Sequence, residues 1–348
     1  MKKILIVTNI YPTGNNPHLG TFVRNIKLGL DKDFITEVIY LSNSKNKIFS
    51  YLIFYLKTFY ACLFKDHDLV YVHYTSHSSL GVLLARVIKR FAIISHVHGS
   101  DILREEGVSR FKFYMKRIVS TACLKLSKYV ISPSDYYKFD ILISNYNIKE
   151  EKIFVSPSGG VDLTKFIPNT PSLKTATICL GFVGRLTEDK GILDFLFVLK
   201  MLKSNSVDFK AVIVGNGPLY DLVSRVSYSL NIQLIQKLDQ EELVSIYNAL
   251  DVFIFPSRRK TESLGLVGIE ALACDVPVIA YDFAGPSHYI NSQANGILVD
   301  KFKKMSIFTL ISNFDTEIRP LTSMRKSVLG FDSTLTSTKL NEFFKEVV

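Results

Sequence analysis

The chain has 348 residues, 47% of them apolar and 21% charged, with Phe and Tyr plentiful and Trp absent; that length suits two domains, and that balance excludes a disordered chain. The formal charge of +10 is uneven: residues 1–165 carry 23 Lys and Arg against 13 Asp and Glu, whereas the remainder carries 19 of each. The basic half is therefore expected to face a polyanion or an anionic membrane surface. Cys62, Cys123, Cys179 and Cys274 are scattered and form no CxxC pair, which excludes an obvious zinc site or disulfide framework and points to a reducing compartment.

The first run, Ile4–Thr8, is too short for a signal peptide and is broken at once by Asn9, Pro12 and Gly14, so it reads as a buried strand. No uninterrupted run of about 20 apolar residues follows, and no spanning helix is expected. Further strands are expected at Glu37–Leu41, Leu69–Tyr74, Ala92–His96 and Lys128–Ser132, then at Ile178–Val183, Lys210–Val214, Ile232–Ile235, Val252–Phe255 and Val276–Ala280. Short β-rich runs separated by helical stretches predict parallel sheets covered on both faces. The turn-rich segment Val155–Asp162 reads as a hinge, dividing the chain into residues 1–163 and 164–332. Two doubly wound α/β domains are thus expected to face a cleft at the carboxyl ends of their strands. A last helix, 333–348, with Leu340, Phe343, Phe344 and Val347 on one face, is expected to complete the first domain. Residues 301–332 show no clear pattern.

The chemistry concentrates at strand ends. Glu262 and Glu270 are separated by seven residues, and a helix starting near Gly265 aims its first amides, from Leu266 onward, at an anion. At ~1.5 Å per residue, Glu270 then lies roughly 7–8 Å along the axis, fit to hold ribose hydroxyls while the helix end holds a pyrophosphate. Arg185 and Lys190 follow another strand, an Arg fork and a Lys point charge suited to phosphate. Gly215 opens a tight turn after the next strand, in Gly215-Asn216-Gly217-Pro218; Tyr220 stands where a dinucleotide fingerprint needs Gly. In the first half Gly20, in His18-Leu19-Gly20-Thr21-Phe22, opens a helix and permits close approach of a phosphate or sugar. His98, in His96-Val97-His98-Gly99-Ser100-Asp101, ends a strand at the expected cleft. No HExxH or close carboxylate-and-His set marks a metal site.

Two stretches mix rings with cations: Lys45-Asn46-Lys47 leading into Ile48–Lys57, and Arg110-Phe111-Lys112-Phe113-Tyr114-Met115-Lys116-Arg117. Both suit a bilayer interface, and the first suits a core helix equally.

Taken in order, Gly20-Thr21-Phe22, His98-Gly99-Ser100-Asp101, Gly160-Val161-Asp162, Gly184-Arg185 with Lys190-Gly191, and Glu262 through Glu270 continued by Ala271–Ala280 resemble the retaining glycosyltransferases of family 4, over roughly residues 1–300. The resemblance implies a GT-B fold and metal-independent transfer of a sugar from a UDP- or GDP-linked donor, with retention and without a cofactor. It implies that Arg185 and Lys190 stabilise the leaving nucleoside diphosphate, that Glu270 binds ribose, and that Glu262 and His98 stand at the reacting sugar. Gly20, Gly265 and Leu266 would border the pyrophosphate, with Gly215 on the donor side. Expected partners are the nucleotide-sugar, a glycolipid or oligosaccharide acceptor and an anionic membrane surface, contacted through Arg110, Lys112, Lys116 and Arg117; nucleic acid is not expected. The place would be the cytoplasmic face of the cell membrane, and the setting bacterial surface-polysaccharide assembly. Two departures stand out. Ala284-Gly285-Pro286-Ser287-His288 occupies a place where the family often reads Gly-Gly-x-x-Glu, and the hinge lacks the frequent Pro-Asn-Gly. An inverting or phosphorolytic enzyme of the same fold is disfavoured by the paired glutamates and by the lack of a pyridoxal-phosphate lysine motif. A non-catalytic module that only binds nucleotide-sugar or membrane is the remaining alternative.

Overall fold

The apolar runs form parallel strands because helical stretches between them carry the chain back across each sheet. The computed structural model describes residues 1–14, 19–42, 46–105, 107–169, 177–291, 294–319, 321 and 324–348. His18, beside the Gly20 motif, and Lys45, heading the first aromatic stretch, lie outside these residues. The chain divides into two units, Met1–Gly159 with Thr334–Val348, and Gly160–Ser333.

In unit 1, β1 (Lys3–Thr8), β2 (Ile35–Tyr40), β3 (Leu69–His73), β4 (Ala92–His96), β5 (Tyr129–Ser132) and β6 (Ile153–Val155) pair in the order β2-β1-β3-β4-β5-β6, all parallel. The central strands are buried almost throughout, which is why they read as continuous apolar runs. Asn46 caps the helix Lys47–Phe64, its side chain accepting from the amides of Ile48 and Phe49. One stripe of that helix, Phe54, Ala61 and Cys62, is buried with Val70, Val72 and Val82. The other leaves Ile48, Phe49, Leu52, Leu56, Tyr60 and Phe64 more than half exposed. At 18 residues this helix, which includes Lys57, is long and apolar enough to cross a bilayer by length and composition alone. Its packing on the sheet accounts for only one side of that apolarity.

The helix Ser333–Val347 returns to unit 1. Leu340, Phe343, Phe344 and Val347 are buried with Ile4, Ile6, Tyr71 and Ile94, and Phe343 stacks on Phe154 with centroids 4.2 Å apart.

In unit 2, β7 (Ile178–Val183), β8 (Phe209–Val214), β9 (Ile232–Ile235), β10 (Val252–Phe255), β11 (Val278–Tyr281) and β12 (Gly296–Val299) form a second parallel sheet, ordered β12-β11-β10-β7-β8-β9. Residues 160–163 belong to this unit, not to the first as the hinge reading expects. The Val161 amide donates to the Phe331 carbonyl at 2.8 Å, and the Ser333 amide to the Val161 carbonyl at 2.9 Å. The illegible segment 301–332 also has a role here: Arg325 donates to the carbonyls of Ala273 at 2.6 Å, Leu163 at 2.7 Å and Phe166, tying the entering chain to the sheet's helical cover.

Candidate active site

The order of the second sheet reverses at β7, with β8 on one side and β10 on the other. Loops leaving β7 and β10 diverge at that seam, where parallel α/β sheets place their ligands. Arg185 and Lys190 follow β7, Gly215 follows β8, and Glu262 and Gly265 follow β10. Sequence-distant residues thus reach one edge of one unit.

Lys190 lies in the single turn Glu188–Lys190, and its Nζ donates to Glu262 Oε2 at 2.5 Å. Ser257 Oγ donates to the same oxygen at 3.1 Å. Both charged side chains are largely buried, 18% and 12% exposed, so each depends on the other for neutralisation. A second clip lies behind them. Arg258 forks onto the buried Asp194 carboxylate, Nε to Oδ2 at 2.6 Å and Nη2 to Oδ1 at 2.9 Å, while Tyr281 donates to Oδ2 at 2.8 Å. The Arg258 amide also donates to the Asp189 carbonyl at 2.8 Å. Arg258, Asp194, Ser257 and Tyr281 carry this frame and were not identified in the sequence; the run Ser257-Arg258-Arg259-Lys260 just before Glu262 was the available signal. Arg185, by contrast, is exposed, and its guanidinium has no partner among the described residues.

Gly265 heads the helix Leu266–Ala273 at φ 78°, with no side chain capping the first amides. A Cβ there would stand 2.4 Å from the Phe255 ring, so the close approach itself demands glycine. Glu270 sits one turn further on, and Tyr247 Oη donates to its Oε2 at 2.9 Å. Burial pushes the Glu270 carboxyl up to about 7, the Tyr247 hydrogen bond pulling the other way. Gly215 has a steric reason of its own: a Cβ would fall 1.9 Å from the Gly184 carbonyl oxygen, where the loops after β7 and β8 touch. In the divergent loop, Ala284 takes φ 57° and ψ −149°, a region that is almost glycine's alone. The next amide, of Gly285, donates to the Glu262 carbonyl at 3.0 Å, so this strained turn holds the backbone of Glu262.

At the carboxyl edge of the first sheet, Gly20 precedes the helix Thr21–Leu30 at φ 73°, and His98 lies two residues beyond β4. Asp101 fixes the His98 loop: Oδ1 accepts from the amides of His98 and Gly99 at 3.0 and 2.9 Å, and Oδ2 from that of Thr75 at 3.0 Å. Two further histidines end the adjacent strands. His73 Nδ1 meets His98 Nε2 at 3.0 Å, and His96 Nδ1 meets Tyr71 Oη at 2.7 Å. Burial keeps all three imidazoles neutral, pushing His96 down to about 3 and the other two well below the ordinary range. One ligating nitrogen from each lies within 4.8 Å of the others, a grouping the sequence reading did not anticipate. The rings run nearly parallel, however, at 13° between His73 and His98 and 28° between His96 and His98. The facing nitrogens of His73 and His98 are spent on the hydrogen bond between them and His96 Nδ1 on Tyr71, so the three do not converge on one point as a tetrahedral ion requires.

In the helix Arg110–Leu126, Arg110 and Lys112 are exposed and Lys116 is half-buried. Arg117 is exposed as well, but it donates to the Asn145 carbonyl at 3.1 Å and lies 5.5 Å from the Tyr146 ring centroid, which ties it to the surface of unit 1.

The family model described as Glycosyltransferase Family 4 matches residues 13–165, and that described as Glycosyl transferases group 1 matches residues 165–314. The capsular polysaccharide biosynthesis glycosyltransferase CapM of Staphylococcus aureus is 28% identical over 237 residues, 64% of this chain and 60% of that protein. In fold, sucrose-phosphate synthase from Thermosynechococcus elongatus superposes with a TM-score of 0.78 at 18% identity, covering 100% of this chain and 99% of that one. Anabaena Alr3699/HepE, in a crystal structure with UDP, gives 0.73 at 16% identity, covering 99% and 100%. With both halves matched in succession and a GT-B fold shared along its length, the chain belongs to the family 4 glycosyltransferases.

Proposed function

We propose that the chain transfers a sugar, with retention and without a metal, from a UDP- or GDP-linked donor to a lipid-linked or polysaccharide acceptor in bacterial surface-polysaccharide assembly. The Lys190–Glu262 pair, with Arg185 following the same strand and without a partner among the described residues, carries this reading. Negative charge grows on the leaving diphosphate as the glycosidic bond breaks, and fixed cations at that place lower the barrier. As a diphosphate approaches, Lys190 exchanges a carboxylate partner for phosphate oxygens. Glu262 is thereby released to accept hydroxyls of the donor sugar, so that Lys190 keeps a countercharge and the carboxylate keeps hydrogen-bond donors. Glu270, one turn into the helix, holds the ribose, and the amides at Leu266 meet the pyrophosphate. The Anabaena neighbour whose structure contains UDP supports a nucleoside diphosphate as ligand.

Attachment to the cytoplasmic face of the membrane is part of the same proposal. The helices Lys47–Phe64, Leu80–Ile88 and Arg110–Leu126 together carry eight Lys and Arg and no Asp or Glu. They also expose Leu52, Leu56, Leu84, Val87, Phe111 and Tyr114, a pairing of charge and apolar surface that suits anionic lipid.

A thermal-shift series with UDP, GDP and ADP in the presence of EDTA tests the nucleotide reading, since a ligand at 100 times its Kd adds about 2.7 kcal/mol. One nucleotide should stabilise the protein without metal, and its sugar conjugate should be slowly hydrolysed when no acceptor is present. No shift with any of the three would overturn it.

A further inference from the structure

His73 and His96 are fully buried, whereas His98 retains part of its surface. Between His98 Nε2 and His73 Nδ1, 3.0 Å apart, one proton must lie: two would clash, and two bare lone pairs would repel. If His98 supplied it, the proton of neutral His73 would sit on Nε2, a buried nitrogen with no partner among the described residues. An orphaned N–H in a dry interior is what folded proteins avoid most consistently. If His73 supplies it from Nδ1, its buried Nε2 keeps only a lone pair, and the proton of neutral His98 is displaced to Nδ1. That nitrogen has no partner among the described residues and remains to meet a ligand.

The ring cannot readily turn over to exchange its nitrogens. His96 stacks on it at 4.3 Å between centroids, Phe22 packs at 4.8 Å, and Asp101 grips the loop backbone. We propose that His73 is a positioning residue that locks His98 in its Nδ1–H tautomer, so that this loop offers a neutral hydrogen-bond donor to an oxygen of the sugar donor. The general rule is that the bond made by one imidazole nitrogen decides what the other presents. The inference rests on the reading of His98 as a contact of the donor sugar.

Nitrogen-15 NMR of the ligand-free, histidine-labelled protein reads the tautomer directly, with the His98 signals assigned through the His98→Gln spectrum. Wild type should show His98 protonated at Nδ1, although free imidazole side chains in water favour Nε2–H. His73→Leu should move His98 towards Nε2–H and lower donor kcat/KM by about tenfold, the effect of one lost hydrogen bond. His73→Asn, whose amide N–H stands where Nδ1–H stood, should restore both readouts. Protonation of His98 at Nε2 in the wild type would overturn the lock, and that spectrum needs no variant to fold. An Nδ1–H signal joined to unchanged kinetics in a folded His73→Leu protein would overturn the functional part, and with it the placement of His98 at the sugar.

Discussion

The two sheets share a parallel, doubly wound plan, yet they hold opposite chemistry at their carboxyl edges. Unit 2 gathers full charges and cancels them against one another: Lys190 on Glu262, Arg258 on Asp194. Unit 1 gathers three imidazoles and keeps them uncharged by burial, with Asp101 satisfied by backbone amides. A leaving diphosphate demands countercharge, and countercharge must be stored in pairs until the anion arrives. Sugar hydroxyls demand directed dipoles that do not change state with pH. The outer surfaces contrast as well, since the basic excess of the sequence lies in its first half.

The contrast in outer charge gives the largest effect. Replacing Arg110, Lys112 and Lys116 with Gln, and keeping Arg117 for its packing role, should weaken partition onto anionic vesicles by roughly 150-fold, at about 1 kcal/mol per cation. Equal co-sedimentation of variant and wild type would remove this helix from the membrane face. Next in size, Glu262→Gln should lower kcat on the order of a hundredfold. Because it frees Lys190, nucleoside-diphosphate affinity should hold or rise. Wild-type turnover in this variant would break the assignment of Glu262. Arg185→Ala or Lys190→Ala should instead cost roughly ten- to a hundredfold in that affinity, the worth of a charge-assisted hydrogen bond. Calorimetry finding both variants unchanged would move the anion site elsewhere.

Glu270 sharpens the comparison, as a carboxyl of unit 2 held neutral by burial in the manner of the unit 1 histidines. Its folded pKa, about 7, lies above the ordinary 4.5. Its contribution to stability is therefore fully present below about pH 4.5 and lost as pH rises through 7. From pH 6 to 8 the wild type should lose about 1 kcal/mol more than Glu270→Gln. Over the same interval nucleotide affinity should rise in the wild type, as the carboxylate forms to accept ribose hydroxyls. Parallel melting curves for the two proteins across that interval would show that Glu270 titrates elsewhere. The smallest effect is at Ala284. Relief of its strained backbone in Ala284→Gly should outweigh the added unfolded-state entropy of glycine by about 0.5 kcal/mol, and a lowered melting temperature would refute the strain.

The buried strands were readable because parallel sheets covered on both faces need unbroken apolar runs, as at Leu69–His73 and Val252–Phe255. β6 and β12 escaped because they are edge strands of three and four residues. Glu150, Glu151 and Lys152 precede the first and Ser156-Pro157 follows it, and Gly296 begins the second, so neither announces itself. Glu262, Glu270, Arg185 and Lys190 were singled out by spacing and order along the chain, and the structure brings Lys190 and Glu262 together. Their supports were not, because Asp194, Tyr247 and Tyr281 lie within ordinary helices and strands and acquire meaning only from partners 64, 23 and 87 residues away. His73 was hidden for the same reason: Leu69-Val70-Tyr71-Val72-His73 reads simply as a strand.

The return of Ser333–Val347 to unit 1 bears on how the protein is made. Unit 2 is one continuous stretch, Gly160–Ser333, and can close its core as soon as that stretch has left the ribosome. Unit 1 cannot, although its sheet is synthesised first, because Phe343 and Phe344 fill a gap beside Tyr71, Tyr129 and Phe154 that stays open until all of unit 2 has been translated. The half with the more exposed apolar helices thus spends longest unfinished, and during that time it is the part in greatest need of a chaperone or a lipid surface.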